Sequence, residues 1–243
     1  MHGDDYCSTG ERADLDWFQK SLGEEYSIKT QRVRAGEVEE GQVLNRVFRV
    51  SDKGWELEAD LRHAELIVEM LDLTEAVGVT TAGAADAKEE EESEELAPGQ
   101  TTQFRAIGAR CNYIAPDRPE IQYAVNEVCR MMSKPTYRSW EKLRRIGKFL
   151  KMHPRLIWKY DWQSAQNILD IHSDANWAGC HSTRKSTSGG TASIGSHYIK
   201  TWAKTQATIA KSSAESELYG VVRASIEGLG MSALLMDFGE FDF

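Results

Sequence analysis

Hydrophobic positions recur along this chain with two different periods, and the switches between them predict an α+β protein. Leu15, Phe18 and Leu22 fall at helical spacing over 14–22, with Trp17 beside them. Residues 43–50 are rich in β-branched and apolar side chains. Asp52, Lys53 and Gly54 supply a turn after them and 55–57 begins a return strand, so a hairpin is expected. A second helix is expected at 61–71, where Leu, Ile, Val and Met recur every three or four residues. Over 80–100 the pattern stops. Apart from Leu96 there is no large apolar side chain to repay the entropy of ordering, and the stretch reads as a flexible linker or a long surface loop.

The helical period then returns. Pro119 suits a first turn, and Ile121, Ala124, Val125 and Val128 share one face of a helix running to about 132; residues 139–150 repeat the pattern with a basic outer face. Strands are expected at 168–171, 189–194 and 198–203, followed by a helix over 213–235. Three strands and then a helix is an order shared by many α+β domains, so by itself it names none of them.

Charge changes the picture through its placement. A net charge of −9 argues against nucleic acid as a partner, but the acids are concentrated in the run DAKEEEESEE over 86–95. Between 130 and 159 bases outnumber acids. Arg144, Arg145 and Lys148 are the candidate phosphate contacts there, and a solvated helix surface is the equally simple reading. Cys7, Cys111, Cys129 and Cys180 form no C-x-x-C pair and have no zinc-site spacing, so they read as reduced thiols of an intracellular protein, cytoplasmic or nuclear. No apolar run approaches the roughly 20 residues of a membrane helix, and the N-terminus lacks the basic start and apolar core of a signal peptide; a soluble protein, not secreted and with no membrane partner, is expected.

Two strings hold the candidate chemistry: IHSDANWAGCHSTRKSTSGG over 171–190 and IKTWAKTQATIAKSSAESELYGVVRA over 199–224. They resemble, block by block and in the same order, the ribonuclease H pattern of copia-type (Ty1/copia) retrotransposon Pol polyproteins. That pattern is S-D-A-D-W-A-G, R-K-S-T-S-G, a Trp-containing strand, and S-S-x-E-A-E-Y. Upstream, Arg118-Pro119-Glu120-Ile121, Ala124-Val125-Asn126 and Ser133-Lys134-Pro135-Thr136 are similar to the segment connecting polymerase to ribonuclease H in the same polyproteins. His2-Gly3-Asp4-Asp5 resembles the aromatic-x-Asp-Asp hairpin of the reverse transcriptase, with His and Gly as departures.

The resemblance implies cleavage of the RNA strand of an RNA–DNA hybrid by two magnesium ions, which activate the attacking water and stabilise the leaving oxygen. Such hard cations demand several carboxylates converging on one point. By the family pattern Asp174 is the first catalytic carboxylate and metal ligand, and Glu217 the second, on the helix. Glu215 lies about 200° around the helix from Glu217 and cannot share its direction. Leu218, Val221 and Val222 fall near Glu217 rather than opposite it, so the apolar face agrees only partly. Asp4 and Asp5 match the polymerase metal-binding pair. For Asp174 the plain structural alternative is a strand-end Asp capping a turn. Arg184 and Lys185 either hold phosphates or form a hairpin turn, and Trp177 and Trp202 read as core. Of the downstream aspartates, Asp237 and Asp242, neither sits in the D-N-x-x-A setting of the third carboxylate, so the two-metal site is expected to be incomplete.

The expected layout is a reverse transcriptase palm/thumb remnant at 1–79, an acidic linker at 80–100, a helical connection at 101–163, and a C-terminally truncated ribonuclease H-like mixed sheet with its helix at 164–243. The implied partners are an RNA–DNA hybrid or other nucleic acid and the remainder of the polyprotein. Two functions remain open. One is a ribonuclease H that works within a larger polyprotein or completes its site by association. The other is a catalytically inactive remnant that binds nucleic acid non-specifically or has no function of its own.

Overall fold

The computed structural model describes residues 7–83, 93–180 and 182–239. Asp4, Asp5, Asp242 and most of the acidic run lie outside the described residues. The chain divides into two compact units, Met1–Glu58 with Ile157–Trp162, and Ala59–Leu156 with Gln163–Phe243. Among the described residues these hold six helices and two antiparallel sheets.

The first unit contains α1 (Arg12–Glu25) and a sheet of β1 (Glu40–Val43), β2 (Arg46–Val50), β3 (Gly54–Glu58) and β4 (Ile157–Asp161), in that order. The expected hairpin is β2–β3. Ahead of it, Leu44 and Asn45 take φ of 50° and 62°, the left-handed pair that a two-residue hairpin turn needs to match strand twist. Strand β4 was not expected, because its apolar–polar alternation, Trp158-Lys159-Tyr160-Asp161, covers only four residues within a stretch read as a helical connection; its conformation comes from pairing with β3 along Gly54↔Asp161 to Glu58↔Ile157. Gly54 is required there, since a Cβ would stand 2.1 Å from the Tyr160 carbonyl oxygen.

The second unit begins with α2 (Leu61–Met70), α3 (Pro98–Ile114), α4 (Pro119–Arg130) and α5 (Tyr137–Met152). Local chemistry starts each helix. Asp60 accepts from the His63 backbone N–H at α2, Pro98 and Pro119 occupy first turns, and Thr136 with Ser139 forms a reciprocal capping box at α5. Their apolar stripes meet in one core around Ile67, Phe104, Ile107, Ile121, Val125, Leu143 and Ile146. Each such side chain contributes about 1.5–3 kcal/mol when fully buried. The guanidinium of Arg118 is also buried, donating to Glu120 Oε1 at 2.6 Å, the His153 carbonyl at 2.6 Å and the Pro154 carbonyl at 3.1 Å. It ties the start of α4 to the end of α5.

The same unit holds β5 (Leu169–Asn176), β6 (Thr187–Ile194), β7 (His197–Thr205) and α6 (Ser213–Asp237). The sheet order is β5-β6-β7 and every pairing is antiparallel, not mixed as expected, because sequential strands joined by short connections return alongside one another. Helix α6 lies on one face, where Leu169, Ile171, Ala192, Trp202 and Ala224 cluster. Helix α4 binds the opposite face of β7. Gln122 Nε2 donates to Thr201 Oγ1 at 2.8 Å and Asn126 Nδ2 to Thr205 Oγ1 at 3.1 Å, both on the strand positions that alternate with Trp202.

Trp202 is core, as expected. Its ring lies flat against Gly190, where a Cβ would come within 2.1 Å of Trp202 Cζ2 and 2.7 Å of the His172 carbonyl oxygen. Gly190→Ala is therefore expected to destabilise the unit by about 1–3 kcal/mol through overpacking. Urea unfolding followed by Trp fluorescence measures this, and an unchanged midpoint would show that the contact is not tight.

Candidate functional site

Strand β5 alternates strictly. Ile171 and Ser173 line the α6 side, and Ala175 meets α6 at Gly220, whose added Cβ would lie 3.7 Å from Ala175 Cβ. Asp170, His172, Asp174 and Asn176 therefore point to the other side, where Asn176 Nδ2 donates to the Tyr123 hydroxyl of α4 at 3.2 Å. Asp174 is exposed and, among the described residues, has no hydrogen-bond or ion-pair partner. It does not cap a turn.

Glu217 rides on α6. The stripe of that helix turned to the sheet is Ser216, Gly220 and Ala224, and Glu217 sits half-buried on its flank. Glu215 is otherwise engaged. Its carboxylate accepts from the Lys211 backbone N–H at 2.7 Å and the Tyr219 hydroxyl at 2.9 Å, and its own N–H donates to Ser212 Oγ at 3.2 Å. The bond from the Lys211 backbone, then that from Tyr219, holds the Glu215 carboxyl below the usual carboxylate range. Asp237, the last residue of α6, lies 20 positions and thus about 30 Å of helix from Glu217.

Asp174 and Glu217 are thus carried on different sides of the β5–β7 sheet. Among the described residues no group of three or more His, Cys, Asp or Glu side chains converges. Two magnesium ions need a shared cage of several oxygen ligands, and the described residues do not fit that demand.

The β5–β6 loop resolves into structural serines and available cations. Ser186 is buried and accepts from the Ala178 backbone N–H at 2.9 Å, and Ser188 accepts from Gln206 Nε2 at 2.9 Å. Arg184 adopts a φ of 57°, and its N–H donates to the Cys180 carbonyl at 2.8 Å, closing the turn. The side chains of Arg184 and Lys185 make no hydrogen bond or ion pair among the described residues. Burial pushes the Cys180 thiol up, but hydrogen bonds from Ser182 and Thr183 and the charge of Arg130 outweigh it and leave the thiol below its ordinary value. Trp177, expected in the core, is 45% exposed; its indole N–H donates to the Ala210 carbonyl and pins this loop to the turn before α6.

The basic face of α5 is largely turned inward. Arg145 donates to the Gly83 carbonyl at 2.8 Å and to Thr81 Oγ1 at 2.7 Å, Arg144 reaches the Leu71 carbonyl at 3.4 Å, and Lys151 binds the Ala76 carbonyl at 2.7 Å. Lys148 is half-buried on the same helix. The signal for this was present but ambiguous, because the polar stretch after α2 needs donors for its backbone carbonyls just as a nucleic acid needs them for phosphates. Arg145→Ala is expected to lower stability by about 1 kcal/mol and leave nucleic-acid affinity unchanged, whereas Arg184→Glu should do the reverse. Chemical unfolding and fluorescence anisotropy on both variants separate the two roles.

No family model matches the chain, and no solved structure matches it. An uncharacterized mitochondrial protein of Arabidopsis thaliana is 35% identical over 127 residues, 51% of this chain and 51% of that protein. Two further proteins of that plant, the retrovirus-related Pol polyproteins from transposons RE2 and RE1, are 33% and 34% identical over 140 residues, 57% of this chain but 9% of each polyprotein. The chain thus spans about half the length of the first relative and a small part of the other two. No helix among the described residues is long and apolar enough to cross a membrane.

Proposed function

We propose that this chain, a stretch of copia-type retrotransposon Pol polyprotein, is a ribonuclease H-derived nucleic-acid-binding segment that does not cut RNA by itself. One observation carries the reading: Asp174 and Glu217 stand on different sides of the sheet, and among the described residues no third carboxylate joins them. Hydrolysis of a phosphodiester by paired magnesium ions depends on the ions sharing ligands at one place, and carboxylates held apart by a strand's thickness lack that geometry.

The order β5, β6, β7, α6 supports a ribonuclease H-like sheet opening, with the helices α3 to α5 as its connection to polymerase sequence. The exposed Arg184 and half-buried Lys185, whose side chains make no hydrogen bond or ion pair among the described residues, support contact with phosphates of a hybrid or a single strand. The rest of the Pol polyprotein is the partner that the length of the Pol relatives favours.

The isolated chain is expected to show no cleavage of an RNA–DNA hybrid in magnesium. Turnover that disappears with Asp174→Asn would overturn the proposal. Hybrid binding should weaken steeply as salt rises and again with Lys185→Glu. Affinity indifferent to both would remove the loop from the interface.

A further inference from the structure

We infer that Trp177 is a base-stacking platform and that the nucleic acid taken by the loop between β5 and β6 is an unpaired strand, one base lying on the indole and a neighbouring phosphate reaching Lys185 or Arg184. The inference rests on the proposed nucleic-acid binding and narrows it from charge to strand type. It begins from the backbone at the two ends of the loop. Ala178 and Arg184 both take left-handed conformations, with φ of 52° and 57°, which alanine and arginine adopt only at a cost. Each is held there by a hydrogen bond: the Ala178 N–H donates to Ser186 Oγ at 2.9 Å, and the Arg184 N–H to the Cys180 carbonyl at 2.8 Å. The turn at Ala178 comes directly after Trp177 and takes it out of the alternation of β5. The indole stands 45% exposed while Ala178 itself is buried.

A single exposed aromatic side chain is ordinary on a protein surface. Trp177 differs in being fixed. Its N–H is engaged by the Ala210 carbonyl at 3.1 Å, so the rest of the side chain is flat ring carbon held in one orientation, and little freedom is lost when a second ring lies on it. The cations are close by construction. The Ala178–Ser186 bond and the bond from the Cys180 N–H to the Lys185 carbonyl set the two arms of the loop side by side, which puts the Lys185 backbone roughly 10 Å from that of Trp177 on strand spacings. A fixed ring with cations within a nucleotide's reach matches a strand whose bases are free to leave their own stack. In a hybrid duplex both faces of every internal base are covered by its neighbours, and the ring has nothing to lie on.

Fluorescence anisotropy on the whole chain separates the contacts with three labelled probes of equal length: oligothymidylate, an abasic strand with the same phosphates, and an RNA–DNA hybrid. Oligothymidylate is expected to bind about tenfold tighter than the abasic strand. Trp177→Leu should remove that advantage while leaving abasic and hybrid binding unchanged, Trp177→Phe should keep it, and Lys185→Glu should weaken both single strands. Both replacements of Trp177 lose the bond to Ala210 and only Phe keeps a ring, so a merely structural Trp177 would not distinguish them. On the unaltered chain, irradiation of a strand carrying 5-iodouracil should attach it at position 177. Equal affinity for the thymidylate and abasic strands, a hybrid weakened by Trp177→Leu as much as the single strand, or attachment only at another aromatic residue would overturn the inference and leave the proposed binding standing. Failure of every probe to bind would remove both.

Discussion

Close approach of α6 to the sheet organises the second unit. A helix can lie low over a twisted sheet only if the side chains between them are small, and α6 meets β5 and β6 through Ser216, Gly220 and Ala224. Gly220 sits beside Ala175, and Gly228 opposes Ile171, where an added Cβ would stand 3.2 Å from the isoleucine. Beneath them Trp202 fills the floor because Gly190 leaves room for its ring. Gln206 then fastens the layers, donating to Ser188 of β6 and to the Ser216 carbonyl of α6, both at 2.9 Å. Lys200 of β7 adds an ion pair with Glu227, whose carboxyl is held below its usual range chiefly by that bond. Small residues inward leave large ones outward, and the exposed Leu218, Val222 and Ile226 of α6 follow from the same constraint.

The helical part of the unit is organised by different means. Its core is ordinary apolar packing, but the buried Arg118 is held only because three acceptors surround it; removing any one would leave part of a charged group unpaired in a dry interior, which costs far more than an exposed ion pair returns. From α4 the link to the sheet is polar: Gln122, Tyr123 and Asn126 use one helix face to reach β7 and the end of β5. The R-P-E-I and A-V-N blocks therefore have physical content. Pro119 starts the helix, Arg118 anchors it, Ile121, Ala124 and Val125 bury it, and Asn126 docks it.

What the sequence disclosed tracks how local each cause is. Helices α2, α4, α5 and α6 and the hairpin β2–β3 were legible because period, caps and turn residues lie within a few positions of one another. Strand β4 was not, since its partner is about a hundred residues away and its own alternation covers only four residues. For α6 the expectation that large apolar residues mark the buried face misled, and it made the place of Glu217 look inconsistent. Once the buried stripe is seen to consist of Ser216, Gly220 and Ala224, Glu217 belongs on the flank of the buried side. The basic face of α5 misled in another way. Hydrophobic pattern and charge cannot tell a cation that serves backbone carbonyls from one left for phosphate, because both need the same donor.

Asp174 and Glu217 show why a motif and an assembled site are separate things. The motif survives in the residues because each is compatible with its own element: an Asp is easily borne on the exposed side of an edge strand, and a Glu on the flank of a helix. Among the described residues neither side chain makes a hydrogen bond or ion pair that the fold would lose with it. A two-ion site asks for something further, that carboxylates from several elements be forced together against their mutual repulsion. That work is done by packing between elements, and in this unit α6 and the outward side of β5 are separated by the sheet itself.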